Sequence, residues 1–265
     1  MSTNIYFPPS LRGFEPRRMV FSTWVDHLPF AYDLVAAIRP QLLVELGVYN
    51  GLSFFTFCQA MVENDIDGVA YGVDCWEGDE HTDAYDDSIY KDVSTHAREH
   101  YRGITYLLKM FFNDALQHFD EDSIDLLHID GLHTYEAVQE DFNNWYPKVK
   151  PRGIVLFHDV MARIKYFGAW KYFEELEASP PETFKFNHGF GLGVLRKPGG
   201  DRQPNQLLDL LFSSDEEEQK KLRQIYAHAS HFLEARRQAN RFKAMTGNAK
   251  SKGGQGKENG VASTA

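Results

Sequence analysis

The chain has 265 residues, 43% of them hydrophobic and 25% charged, which is ordinary for a folded domain of about 200 residues with a smaller appendage. Its formal net charge of −10 gives no basic footprint for phosphate neutralisation, so a small molecule or sugar is expected as partner rather than nucleic acid. No run approaches the roughly 18 apolar residues of a membrane span, and Met1 to Met19 lacks a signal core, so no membrane contact and a cytoplasmic location are expected. The two cysteines, Cys58 and Cys75, fit a reducing compartment; Cys58 belongs to an apolar helical run, whereas Cys75 follows a strand and could line a site.

In chain order, an N-terminal extension (1–24) precedes a helix over 26–39 that Pro40 ends. A strand over 41–46 leads through Gly47 and Gly51 into a helix to about Glu63. A second strand, 68–74, ends in Asp74, and a long acidic and aromatic loop follows. Next come a helix over 89–101, a strand over 104–108, a short helix over 114–118 and a strand over 124–129. The helix over 134–145 carries Val138, Phe142 and Trp145 on one face. A strand over 154–157, a helix over 168–177 and two closing strands, 183–186 and 191–195, complete a domain spanning 25–200. Strands alternating with helices predict an α/β fold, a mostly parallel Rossmann-like sheet covered on both faces with an antiparallel hairpin at one edge.

After Gly199-Gly200 the character changes. Ser214 and Glu217 form a capping-box pattern, and Leu222, Ile225, Tyr226, Ala229, Phe232 and Leu233 then follow helical spacing. This C-terminal helical appendage (201–245) packs on its own domain or makes a homodimer contact. The polar, glycine-rich stretch 246–265 is expected to be a disordered tail.

Chemistry concentrates at the predicted strand ends, which share one edge of a parallel sheet. The turn Glu45-Leu-Gly47-Val-Tyr49-Asn-Gly51 offers backbone N–H groups at a helix start. Asp74 lies at the distance where nucleoside binders place an acid for ribose hydroxyls; its plainer role is a cap or a surface acid. The turn lacks the G-x-G-x-x-G dinucleotide pattern, and the acid Glu45 suits a ligand carrying an ammonium group, which disfavours a nicotinamide dehydrogenase. Asp130 and Asp159 end two further strands, with His133 three residues past the first and His158 beside the second. His133 is either a general base or a neighbour of a helix cap. His128, mid-strand, reads as a core histidine, while His81 and His188 sit in loops that either roof the site or lie on the surface.

The acid-x-Gly-x-x-x-Gly turn, Asp74 and Asn113-Asp114-Ala115 together resemble class I S-adenosylmethionine (SAM) methyltransferases over about 25–195. Tyr71-Gly-Val-Asp74-Cys-Trp76, Ile129-Asp130-Gly-Leu-His133 and Phe157-His158-Asp159 are similar to a bacterial branch related to metal-dependent sugar and macrolide O-methyltransferases. The resemblance implies that Glu45, Gly47, Tyr49 and Gly51 surround the methionine part of SAM and that Asp74 takes the ribose. It also implies that Trp76 and Asp114 meet the adenine. It implies a divalent cation, Mg²⁺ or Mn²⁺, on Asp130, His158 and Asp159, with His133 as base beside Asp130. His158 departs from the usual oxygen-rich set, so either a metal that accepts nitrogen is held or His158 only hydrogen-bonds. The expected activity is methyl transfer to a hydroxyl of a sugar, glycan or secondary metabolite. The alternatives are a metal-dependent hydroxylase-like enzyme of the same fold and a non-catalytic SAM-binding interaction module.

Overall fold

A computed structural model describes residues 6–78, 86–178 and 182–253, with side chains up to 243. Its strands are β1 (Leu42–Leu46), β2 (Val69–Asp74), β3 (Thr105–Lys109), β4 (Ile124–Ile129), β5 (Val149–His158), β6 (Glu182–Phe186) and β7 (Leu192–Arg196). They form one sheet in the order β3-β2-β1-β4-β5-β7-β6. The first five pair in parallel, whereas β7 runs antiparallel between β5 and β6. The expected edge hairpin is therefore present, with its second strand set one place inside the edge. β5 begins at Val149, earlier than expected, because Lys150-Pro-Arg-Gly joins it through a register shift opposite Ile124.

The helices are α1 (Leu28–Ile38), α2 (Leu52–Glu63), α3 (Asp87–His100), α4 (Phe112–Ala115), α5 (Tyr135–Trp145), α6 (Ala169–Glu177), α7 (Gln206–Leu211) and α8 (Glu216–Gly253). Alternation along each strand splits the apolar residues between two cores. Leu43, Ala70, Leu126 and Leu156 pack with residues of α1, α2 and α8, including Phe30, Phe54, Phe57 and Tyr226. Val44, Val73, Leu127 and Phe157 pack with residues of α5 and α6, including Val138, Phe142, Trp145 and Phe173. Burial on both faces explains the nearly continuous apolar runs of the central strands.

The N-terminal segment and α8 are tied into the first core. Asp33 of α1 accepts from the backbone N–H and hydroxyl of Ser10 at 2.7 and 2.8 Å and from the Tyr226 hydroxyl at 3.1 Å. Leu222, Tyr226, Ala229 and Leu233 are buried against this domain, while Phe232, counted in the same stripe, is 51% exposed. The cap of α8 is shifted by one residue from the expected box: Asp215 accepts from the Glu217 N–H, and the Ser213 hydroxyl bonds Glu218. The helix also continues through 246–253, where no structure was expected. Its earlier turns have already met the cost of nucleation, so Ala249, Lys250 and Lys252 extend it at little expense. Among the described residues no helix is long and apolar enough to cross a membrane.

Candidate functional site

The strand order reverses between β1 and β4, and a crevice opens beyond their C-terminal ends. The crevice is a cavity of about 660 Å³. Gly47, Tyr49, Gly51, Asp74, Asp130, His133, His158 and Asp159 all lie on its wall. Cys75 lies there as well.

The β1 side is built from backbone. Gly47 has φ +87°, and a Cβ there would overlap the carbonyl oxygen of Asp130. Only glycine lets the turn pass so close to the end of β4. Gly51 caps α2 with φ +75°, a left-handed value that again favours glycine. Asp74 fastens the turn. One of its carboxylate oxygens accepts from the N–H groups of Val48 and Tyr49 at 2.9 and 2.8 Å, and the other from the Trp76 N–H at 2.6 Å.

Three expected cofactor residues are not on this wall. Glu45 is fully buried, because strand alternation turns it under α2. There it accepts from the Ser53 hydroxyl at 2.6 Å and lies 3.6 Å from His128 Nδ1. Trp76 is 2% exposed and donates its indole N–H to the Tyr49 carbonyl at 3.1 Å, bracing the turn from behind. Asp114 is exposed on α4; two residues on a helix differ by about 200°, so the face that Phe112 gives to the cavity is not the one Asp114 occupies. Phe111 and Phe112 stand on the wall instead. Their position directly after β3 was the available signal. Phe21, Ser22 and Thr23 of the N-terminal segment also line the cavity, and no strand-end logic points to them.

The β4 and β5 side is built from titratable side chains. His133 Nε2 lies 3.0 Å from Asp159 Oδ2, and His158 Nδ1 lies 3.0 Å from Asp130 Oδ1. Asp159 adopts φ +61°, which turns its carboxylate off the strand path toward His133. The set able to hold a metal is Asp130, His133 and Asp159, whose ligand atoms lie within 4.8 Å of one another. It differs from the expected set of Asp130, His158 and Asp159 in having His133 in place of His158, whose Nδ1 lies 3.0 Å from Asp130 and 3.5 Å from Asp159. His158 is the last residue of β5 and packs on Trp24 and His27, with ring centroids 6.2 and 5.8 Å away. Burial opposes its charge, yet the charge of Asp130, the hydrogen bond to it and the charge of Asp159 prevail and raise its pKa. Burial likewise raises the Asp130 carboxyl, but His158, His128 and His133 outweigh it and hold that carboxyl below its ordinary range.

Two other histidines sit behind the wall. His128 is fully buried, as expected of a core residue. Its Nε2 accepts from the Trp24 indole N–H at 3.1 Å, which leaves the ring proton of the neutral form on Nδ1, facing Glu45. His188 packs against His27 at 5.0 Å and is not on the cavity wall. His81 and the rest of 79–85 in the acidic loop lie outside the described residues.

Comparisons with known proteins agree with this fold. Residues 44–160 match the model of a family described as a methyltransferase domain. The fold is similar to a putative caffeoyl-CoA O-methyltransferase from Staphylococcus aureus, with TM-score 0.52 and 15% identity over 68% of this chain and 85% of that one. It is also similar to the O-methyltransferase TomG from Streptomyces achromogenes, solved in complex with SAM, with TM-score 0.51 and 13% identity over 69% and 83% of the two chains. The methyltransferase PaMTH1 from Podospora anserina, solved with SAH, gives TM-score 0.52 and 12% identity over 65% and 78%. In sequence, an uncharacterised protein, y4gI, of Sinorhizobium fredii is 44% identical over 180 residues, which are 68% of this chain and 19% of that protein. The chain thus spans about a fifth of that relative's length. Sheet order and these likenesses establish the Rossmann-like methyltransferase fold, within which residues 44–160 match the methyltransferase-domain family.

Proposed function

We propose that this protein is an enzyme that transfers the methyl group of SAM to a hydroxyl of a sugar, glycan or secondary metabolite. The observation that carries the reading is the His133–Asp159 pair at 3.0 Å, set beside Asp130 in the cavity that also holds the glycine turn. Methyl transfer is an in-line displacement at a sulfonium carbon, so alignment and exclusion of water do most of the work. Gly47, Tyr49 and Gly51 form the wall for the methionine part of SAM, and Asp74 stands where ribose hydroxyls would arrive. Phe111 and Phe112 offer apolar faces beside them.

An alcohol is a weak nucleophile until its proton leaves. His133 is assigned as the group that takes this proton. Its Nε2 faces Asp159 at 3.0 Å, which orients the ring. As an alternative to His133 acting as base, Asp130, His133 and Asp159 fit a divalent cation, since two carboxylates and an unprotonated imidazole form a mixed oxygen and nitrogen donor set. Such a set suits Mn²⁺ at least as well as Mg²⁺. When bound, a cation there would supply Lewis acidity to the acceptor hydroxyl. The acidic composition supports a small acceptor over nucleic acid, and a cytoplasmic setting belongs to the same proposal.

The test is a SAM-binding titration by calorimetry, followed by incubation with a panel of hydroxylated sugars and metabolites and mass analysis of the products. The expected result is SAM binding and the gain of one methyl group. A gain of one oxygen would favour the hydroxylase reading, and absence of SAM binding would overturn the proposal.

A further inference from the structure

A second groove, of about 640 Å³, opens on the other side of His133. Its wall includes Thr134, Tyr135, Tyr166, Phe167, Trp170 and Lys171. The two cavities share one partition: His133 faces the catalytic crevice, and Thr134, the next residue, lines the groove. Phe167 packs on the His133 ring with centroids 4.9 Å apart. The His133 carbonyl accepts from the Gly168 N–H at 2.7 Å, so the segment between β5 and α6 is clamped to the proposed base.

That segment presents unusual features for a connecting loop. Tyr166 has φ +73° and is 69% exposed, and Ile164 is 49% exposed. A bulky residue held in the left-handed region stores strain, and such strain gathers at functional sites. Trp170 is fixed by its indole N–H bond to the Phe167 carbonyl at 3.0 Å and by the Arg163 guanidinium 4.0 Å from its ring centroid. The groove therefore holds anchored aromatic rings beside Thr134, Glu136 and Lys171, which can bond to hydroxyls. A saccharide unit offers the matching chemistry, with an apolar C–H face and a polar rim. A flat apolar ligand would leave the polar groups unpaired, and nearby Glu174 and Glu175 oppose the cations as a phosphate site.

We propose that this groove is a remote acceptor subsite, which holds one saccharide unit of an extended acceptor whose methylated unit sits at His133. The inference rests on the methyltransferase reading and narrows its acceptor to a glycan or glycoside of at least two units. Tyr166 is a specificity-determining residue on this view.

The test uses the full chain, an array of immobilised oligosaccharides of one to four units and a separate SAM titration. The informative variant is Tyr166→Gly, which removes the ring while relaxing the positive-φ strain. Tyr166→Phe keeps the ring. The expected result is binding of oligosaccharides but not of their single units, about tenfold weaker in Tyr166→Gly and retained in Tyr166→Phe. SAM affinity should be unchanged in both variants. If no oligosaccharide binds, or if Tyr166→Gly binds as wild type does, the subsite is overturned while the methyltransferase reading stands on SAM binding. If SAM itself does not bind, that reading fails independently of the array.

Discussion

The two halves of the crevice are made of different materials. On the β1 and β2 side, ligand-facing groups are mostly backbone, and side chains such as Asp74 and Trp76 serve to hold that backbone in shape. On the β4 and β5 side the wall is made of ionisable side chains held by one another. A cofactor with a fixed shape can be met by a fixed loop. Chemistry on an acceptor needs groups that change protonation, and these must be positioned by mutual contacts. The difference predicts which changes alter turnover alone and which alter binding as well.

The largest effect is expected from His133→Ala, which should lower turnover by about 10²- to 10⁴-fold with SAM affinity preserved. Parallel kinetics and calorimetry check it; loss of SAM affinity as well would break the division between the halves. Next, Gly47→Ala should abolish SAM binding or unfold the domain, because the new Cβ meets the Asp130 backbone. Thermal unfolding with and without SAM separates those two outcomes, and normal binding would show that the turn is not a fixed wall.

A buried carboxylate outside both halves provides a contrast. Burial lifts the Asp33 carboxyl to about 7, against the opposing hydrogen bonds from Ser10 and Tyr226. Its folded pKa lies above its unfolded value, so its contribution is complete in acid and lost as pH rises through about 7. Asp33→Asn should flatten that loss, by about 4 kcal/mol, in unfolding curves recorded from about pH 4 to pH 8. SAM affinity should not change. The smallest effect concerns a cation. Saturating Mn²⁺ should stabilise the protein by about 2 kcal/mol, reversibly with chelator, and Asp130→Asn should remove that gain. An equal gain in Asp130→Asn would place the ion elsewhere.

The legibility of the two halves differed in the same way. Glycine spacing and the acids at strand ends announced the crevice, since backbone geometry restricts which residues can stand there. The sheet class followed from alternation, and β7 kept its expected pairing with β6. What the pattern could not convey was how two histidines share the acids: His133 pairs with Asp159 at 3.0 Å, and His158 with Asp130 at 3.0 Å and Asp159 at 3.5 Å. His133 lies three residues past Asp130 and His158 is next to Asp159, and the pairing depends on the left-handed backbone at Asp159 and on the packing of His158 against Trp24 and His27. Glu45 begins the turn in sequence, but strand alternation sends it to the opposite side, where Ser53 and His128 receive it. Phe21 to Thr23 join the wall only through the path of the N-terminal segment, which no local periodicity encodes.

Trp24 bears on where the molecule can be cut. Its indole sets the proton position on His128, and His128 in turn faces the acid beneath the glycine turn. Phe14 and Trp24 are both buried in the same core as α1 and α2. A fragment trimmed to the segment 44–160 that carries the family pattern would lack this support. The smallest transplantable unit therefore starts upstream of Phe14, and a chimera that joined the domain at β1 would inherit the chemistry without the residues that keep its floor in register.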